Sequence, residues 1–305
     1  MCLHPKHIVI PNPYPTIAYP EHTIELDVPC GKCLQCLKRR QSDYAIRLYN
    51  EVKDGRLMFF VTLTYNNSSL PLAITYKHID LVTGEILDST KPVLLTEEDS
   101  SPEFVSFCRS KILSMKSGFQ PRVIRGKCLL GTDGIGYYYE VTPTLCRNHV
   151  QQWIKKCRIQ YKRDYGTNMN FRVAYCGEYG PRGCRPHYHL IFIGASFEQI
   201  MYMLNYWRFG YTNHKFVPML NPDGSNAREI AARYIGKYVS KGKFDCESVK
   251  LGISEKGRLC NSKRFGTLQI DSKQIAYYRA YDLFGAYNTN TLDFVNADSK
   301  DLSPT

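Results

Sequence analysis

Apolar residues gather along this chain in short runs, and the period of each run assigns its element. Met58-Phe-Phe-Val-Thr-Leu-Thr-Tyr65 is dense in β-branched and aromatic residues. It predicts a strand that stops at the Asn66-Asn67 turn signal. Phe171–Glu178 and His187–Ile193 read as two more strands. Tyr179–Pro186 between them holds two glycines and two prolines, so the pair predicts an antiparallel hairpin. Val150, Trp153, Ile154 and Cys157 recur at helical spacing, with Lys155, Lys156, Arg158, Lys162 and Arg163 on a basic side. A helix is therefore predicted to about Tyr165, with Thr144 as its cap.

Other segments follow the same logic. Leu37–Lys53 reads as a basic helix, and Ser196 caps a helix through about Trp207. A short strand is expected near His214–Val217, a turn at Asn221-Pro-Asp-Gly224, and a helix over Asn226–Lys241. Residues 68–141 read as a long irregular insertion, with short strands at Lys91–Leu95 and Tyr137–Val141 and a helix near Pro102–Ser114. Residues 1–29 are proline-rich and extended, and the last ten residues are expected to be disordered. The order strand, insertion, helix, hairpin, helix, strand, helix predicts an α+β fold on a central antiparallel sheet flanked by helices. Three parts are expected: residues 1–57, 58–241 and a C-terminal extension, 242–305.

Charge narrows the class of partner. The 305 residues include 40 Lys+Arg against 28 Asp+Glu, a formal net charge of +12. Such a balance suits a polyanion, although a generically basic protein shares it. The chain is rich in tyrosine, and tyrosines beside Lys and Arg can stack on unpaired bases. Met1-Cys2-Leu3-His4-Pro5 lacks the basic and apolar regions of a signal peptide. No run approaches the roughly 18 apolar residues of a membrane span. A reducing cytoplasm and no membrane are the expectation, and there clustered cysteines suggest metal before disulfide.

Three groups of residues carry candidate chemistry. His187 and His189, at i and i+2 of a strand, point to one face and could share a divalent ion. Glu178 ends the preceding strand, and the hairpin can bring its carboxylate beside them. Tyr234 and Tyr238 share a helix face, with Lys237 and Lys241 close enough to favour phenolate. Ala232, Ile235 and Val239 form the opposite, packing face. Taken singly, the histidines fit an ordinary strand and the tyrosines fit core aromatics. Cys30-x-x-Cys33-x-x-Cys36 supplies three thiolates, and Cys2 offers a fourth, which reads as structural Zn²⁺. An iron–sulfur cluster and three unligated cysteines are the alternatives. The remaining eight cysteines read as scattered buried thiols.

Phe59-Phe-Val-Thr-Leu-Thr-Tyr65, Arg185-Pro-His187-Tyr-His189 and Tyr234-Ile-Gly-Lys-Tyr238-Val-Ser-Lys241 resemble the three motifs of HUH-type rolling-circle replication initiators. The cysteine cluster and Gly177-Glu178-Tyr179-Gly180 resemble the gokushovirus-type microviruses, such as the chlamydial phages. The resemblance covers about residues 30–65 and 144–241. It implies an HUH endonuclease domain that nicks the origin of a circular viral DNA, in single-stranded or supercoiled form. Tyr234 or Tyr238 would form a 5′-phosphotyrosine link, and the displaced strand would later be rejoined into a circle. It also implies Mg²⁺ or Mn²⁺ on His187, His189 and Glu178, and DNA contacts from Thr62, Thr64 and Arg185. The setting would be the host bacterial cytoplasm, with host polymerase and, since no Walker motif is present, host helicase. A transposase or relaxase would share this site. A zinc-bearing nucleic-acid binding protein without catalysis is the alternative of a different class, and a hydrolase using activated water is a third.

Overall fold

The structure is a computed structural model. It describes residues 2–12, 22–31, 33–52, 56–98, 100–115, 122–130, 135–180, 184–228, 230, 247–257, 259–263, 265, 287–288 and 293–294. The chain divides into two units, residues 1–265 and 266–305. In the second, Tyr287–Asn288 pairs antiparallel with Asp293–Phe294. All that follows concerns the first.

Strands β1 (Lys6–Pro11) and β2 (Thr23–Val28) pair as an exposed antiparallel ribbon ahead of helix α1 (Leu34–Val52). Next come β3 (Met58–Thr64), β4 (Leu72–Asp80), β5 (Ile86–Ser89), β6 (Val93–Leu95), α2 (Pro102–Ser114), β7 (Ile124–Leu130) and β8 (Ile135–Pro143). Helix α3 (Arg147–Tyr165), the hairpin β9 (Arg172–Tyr179) and β10 (Pro186–Ile193), α4 (Phe197–Asn205) and β11 (Thr212–Phe216) follow. A short turn of helix at Glu247–Lys250 and β12 (Leu259–Asn261) complete the described elements of this unit. The fold is mixed α+β, with antiparallel sheets.

The main sheet has the order β11-β3-β10-β9-β12, antiparallel throughout. Its strands alternate, so its two faces differ. Val61, Leu63, Val173, Tyr175, Tyr188, Leu190 and Phe192 point to one face and join the core with α3 and α4. Met58, Ala174, Cys176, Ile191 and Ile193 point to the other, where Tyr44, Leu48 and Val52 of α1 cover them. Further along that second face the sequence turns polar, to Thr62, Thr64, Glu178, His187 and His189.

Residues 68–141, which read as irregular, form a second antiparallel sheet of order β5-β4-β8-β7, with β6 also on β4. Leu72, Ile74, Ile124 and Val141 from this sheet, with Val105, Cys108 and Ile112 of α2, bury in the same core as the main sheet. The segment thickens the domain's core; it is not a loose loop. Its irregular appearance in sequence comes from a bulge in β7 and a register shift in β4, which break the period-two signal.

Two local expectations need correction. Thr144 does not cap α3; Cys146 holds that position without a side-chain hydrogen bond. Thr144 is buried instead, and its hydroxyl accepts the Glu255 backbone N–H at 3.0 Å. Among the scattered cysteines, Cys184 is disulfide-bonded, whereas Cys108, Cys146, Cys157 and Cys176 are buried thiols. Ser196, by contrast, forms a full capping box with Gln199 at the start of α4.

The loop after α4 docks on the end of β3. Trp207 Nε1 donates to the Thr64 carbonyl at 3.1 Å, and Asn66 N donates to the Phe209 carbonyl at 2.8 Å. Gly210 lies so close that a Cβ would overlap the Thr64 oxygen and the Asn66 nitrogen, both backbone atoms. Backbone on both sides leaves no side chain to move aside. Gly210→Ala is therefore expected to cost about 2–4 kcal/mol of stability, read as a lowered midpoint in denaturant unfolding.

Candidate metal centre

Register creates the site. Across β9 and β10, Glu178 lies opposite His187, and across β10 and β3, His187 meets Thr64 and His189 meets Thr62. Nε2 of His189 lies 3.3 Å, and Nε2 of His187 3.6 Å, from the same Glu178 carboxylate oxygen. The three ligand atoms lie within 4.8 Å of one another. Their side chains are 12–23% exposed, shielded yet reachable from solvent.

The remaining ring nitrogens are occupied. His187 Nδ1 lies 3.3 Å from the Arg185 carbonyl, so it carries the proton and donates. His189 Nδ1 lies 3.2 Å from the Thr62 hydroxyl. Both contacts turn Nε2 toward Glu178, as outer-shell partners of metal-binding histidines do. Two imidazole nitrogens and a carboxylate could hold a divalent ion and leave positions open for substrate oxygen. Tyr188, between the histidines, points to the opposite face and is buried beside Tyr65 and Tyr175. Burial drives its phenol far above the usual tyrosine range, so it anchors the strand and does not titrate.

The other expected contact residues have structural partners in this arrangement. Arg185 Nη2 donates to the Tyr65 carbonyl at 2.6 Å and to Asn67 Oδ1 at 3.0 Å. The Thr64 hydroxyl donates to the Tyr211 carbonyl at 3.2 Å. The Thr62–His189 bond escaped the sequence reading. Alternation put Thr62 on one face of its strand, but no local signal says which strand lies beside it. Tyr234, Lys237, Tyr238 and Lys241 lie outside the described residues. The segment leading to them is tethered: buried Arg228 donates through Nη1 to the Val52 carbonyl at 2.9 Å, joining it to the end of α1.

A second cluster sits at the start of α1. The sulfurs of Cys2, Cys30, Cys33 and Cys36 all lie within 4.8 Å. Cys2–Cys33 and Cys30–Cys36 sulfurs are 3.8 and 3.9 Å apart. Sulfurs bound at about 2.3 Å to a tetrahedral ion are separated by roughly 3.8 Å. Backbone N–H groups also point at sulfur, from Cys30 to Cys2 and from Cys33 to Cys30, each at 3.3 Å. Backbone donors from Cys36 and Leu3 bring the Cys33 thiol down to about 6, whereas burial pushes Cys36 up to about 12. The four thiols fit a closed metal site that ties the N-terminus to α1.

Residues 137–243 match a family model of replication-associated proteins, the ORF2 type. The matched segment runs from β8 through β11 and includes Glu178, His187, His189, Tyr234 and Tyr238. It covers about a third of the chain and leaves out Thr62 and the cysteine cluster. No curated protein and no solved structure matches the chain. Among the described residues no helix is long and apolar enough to cross a membrane.

Two measurements check these centres. Thr62→Val releases His189 from its orienting partner and is expected to weaken Mn²⁺ binding about 10- to 100-fold by calorimetric titration. Thr64→Val, whose hydroxyl serves the Tyr211 carbonyl, should leave that affinity unchanged. Protein purified without chelator should carry a stoichiometric metal in the cysteine centre, and Cys33→Ser should lose it, both read by elemental mass spectrometry.

Proposed function

We propose that this protein initiates rolling-circle replication of a circular viral DNA by nicking one strand at the origin. The observation that carries the reading is the Glu178–His187–His189 cluster, set on a polar stretch of sheet within the segment that matches replication-associated proteins. A DNA partner also agrees with the net charge of +12. In this reading the HUH domain spans residues 58–241, and the chain belongs with the gokushovirus-type initiators.

The reaction is a transesterification. The phenol oxygen of Tyr234 or Tyr238 bonds to phosphorus and gives up its proton. The bond from phosphorus to the 3′ oxygen breaks, and that oxygen leaves as a hydroxyl after taking a proton. One phosphodiester is exchanged for another, so the phosphotyrosine keeps the free energy needed for rejoining. Host polymerase extends the 3′ end while host helicase unwinds ahead of it. The second tyrosine cuts the regenerated origin, and the freed 3′ hydroxyl attacks the first phosphotyrosine to close the circle.

Each side chain has a part. Glu178, His187 and His189 hold Mg²⁺ or Mn²⁺, which when bound supplies positive charge to the scissile phosphate as a Lewis acid. Thr62 and the Arg185 carbonyl orient the imidazoles. Arg185 ties the strand holding His187 to Tyr65 and Asn67, fixing the rim of the site. Lys237 and Lys241, three residues beyond each tyrosine, favour the phenolate. Zn²⁺ in the cysteine centre is structural and positions α1 against the sheet.

A denaturing gel tests the mechanism. Labelled single-stranded oligonucleotides tiling the source genome, mixed with protein and Mg²⁺ or Mn²⁺, should yield a protein band carrying label. The band should vanish with chelator and in the Tyr234→Phe, Tyr238→Phe double variant. Cleavage without a labelled band would point to hydrolysis by water, and binding without cleavage to a non-catalytic DNA-binding protein.

A further inference from the structure

The far end of the main sheet carries a second set of charged groups. Arg172 opens β9 and Glu178 lies six residues on, about 20 Å along the strand. Beside Arg172 is a cavity of about 800 Å³, lined among the described residues by Arg56, Arg158, Arg172, Asn168, Asn170 and Phe171. Its size suits a nucleotide-sized ligand.

The cavity is built for an anion. Arg158 lies over the Phe171 ring at 4.3 Å and donates through Nη2 to the Phe171 carbonyl at 3.0 Å. Arg172 and Arg56 both reach the buried carboxylate of Glu51, at 3.0 and 3.8 Å. One carboxylate thus sets two guanidinium groups in place, and among the described residues here three positive charges face one negative. Arg172 Nε is buried without a hydrogen-bond partner among the described residues. Guanidinium groups offer donors only, in a fork that matches phosphate oxygens.

The neighbouring helix face supplies aromatic rings. Arg158, Tyr161, Lys162 and Tyr165 follow one another at i, i+3, i+4 and i+7 of α3 and share a face. The rings of Tyr161 and Tyr165 are 4.6 Å apart, and Tyr202 and Tyr206 of α4 continue the group at 5.1 and 4.9 Å. Asp164 fixes Tyr202 by accepting its hydroxyl at 2.5 Å. Tyr165 is 59% exposed, more than packing between α3 and α4 requires. Cations interleaved with open rings hold single strands, phosphate on one and base on the other.

We infer that the Arg56–Arg158–Arg172 cavity and the tyrosines beside it form a second binding site for single-stranded DNA, about 20 Å from the Glu178–His187–His189 cluster. The inference rests on the proposed function for its choice of DNA. The site holds the strand away from the reacting phosphate, so the DNA stays bound while its cut end is exchanged.

The test is equilibrium binding of a labelled oligothymidylate of about 15 nucleotides to the full chain, by fluorescence anisotropy with chelator present. Chelator removes cleavage from the readout. Arg56→Gln with Arg158→Gln should weaken binding at least about tenfold and reduce the slope of log K against log salt by about 1.4, two phosphates' worth. Tyr165→Ala, an exposed change that spares the fold, should weaken binding about tenfold with little change in slope. Melting curves check that each variant folds. Wild-type affinity in both variants overturns the inference, as does thymidine monophosphate competing as well as the strand, which would mark a free-nucleotide site. Weakened binding in the variants with no adduct from the wild type upholds this site while the nicking mechanism fails. No strand binding by the wild type overturns the site and leaves nicking to the gel assay.

Discussion

The pairing of β10 between β9 and β3 is the constraint on which the rest of the candidate site depends. It sets His187 beside Glu178 and Thr64, and His189 beside Thr62. Side chains alternate with a period of two, so a slip of one residue would send Glu178 or Thr62 to the core face. The same slip would bring Tyr188 out of its pocket and drive a histidine into it. Burial of Tyr188, Leu190 and Phe192 on one face therefore fixes the position of His187 and His189 on the other. The apolar core enforces the geometry of the polar site.

The second face of the sheet is divided by α1. Where α1 lies, the strand residues are apolar: Met58, Ala174, Ile191 and Ile193. Beyond it they are ligands and hydroxyls. The cysteine centre sits at the start of that same helix, with Cys36 inside it, and joins Cys2 to it. A closed metal site there holds the helix start that shields the sheet, which is a structural task. The Glu178–His187–His189 cluster has only three protein donors among the described residues and partial exposure, the mark of a site that keeps room for a substrate. Two clusters of similar compactness are thus suited to different work by the number and kind of their donors.

Much of this was legible in the residues. The strand Met58–Tyr65, the hairpin around Tyr179–Pro186, the Ser196 cap and the α2 segment each carry a local signal: β-branched density, turn residues, a hydroxyl before an apolar period. The i, i+2 spacing of the histidines and the three-residue cysteine spacings also act locally, because each is set by one element's own repeat. Glu178 was within reach because a hairpin joins strands that are neighbours in sequence.

Longer-range facts were not legible. Thr144 has the chemistry of a cap, yet a backbone N–H 111 residues away takes its hydroxyl. Residues 68–141 lack a clean period, yet they form a second sheet because their buried positions find partners in α2 and the main core. Sequence set the face of Thr62 on its own strand, and only the pairing of β3 with β10 made it the partner of His189. The arginines at 56, 158 and 172 come from three separate segments, and only folding draws them around Glu51 and one cavity. Residue type and local repeat determined which groups could act and which way each points within its element. Tertiary structure decided which of them meet, because strand pairing and burial join residues whose separation along the chain leaves no local trace.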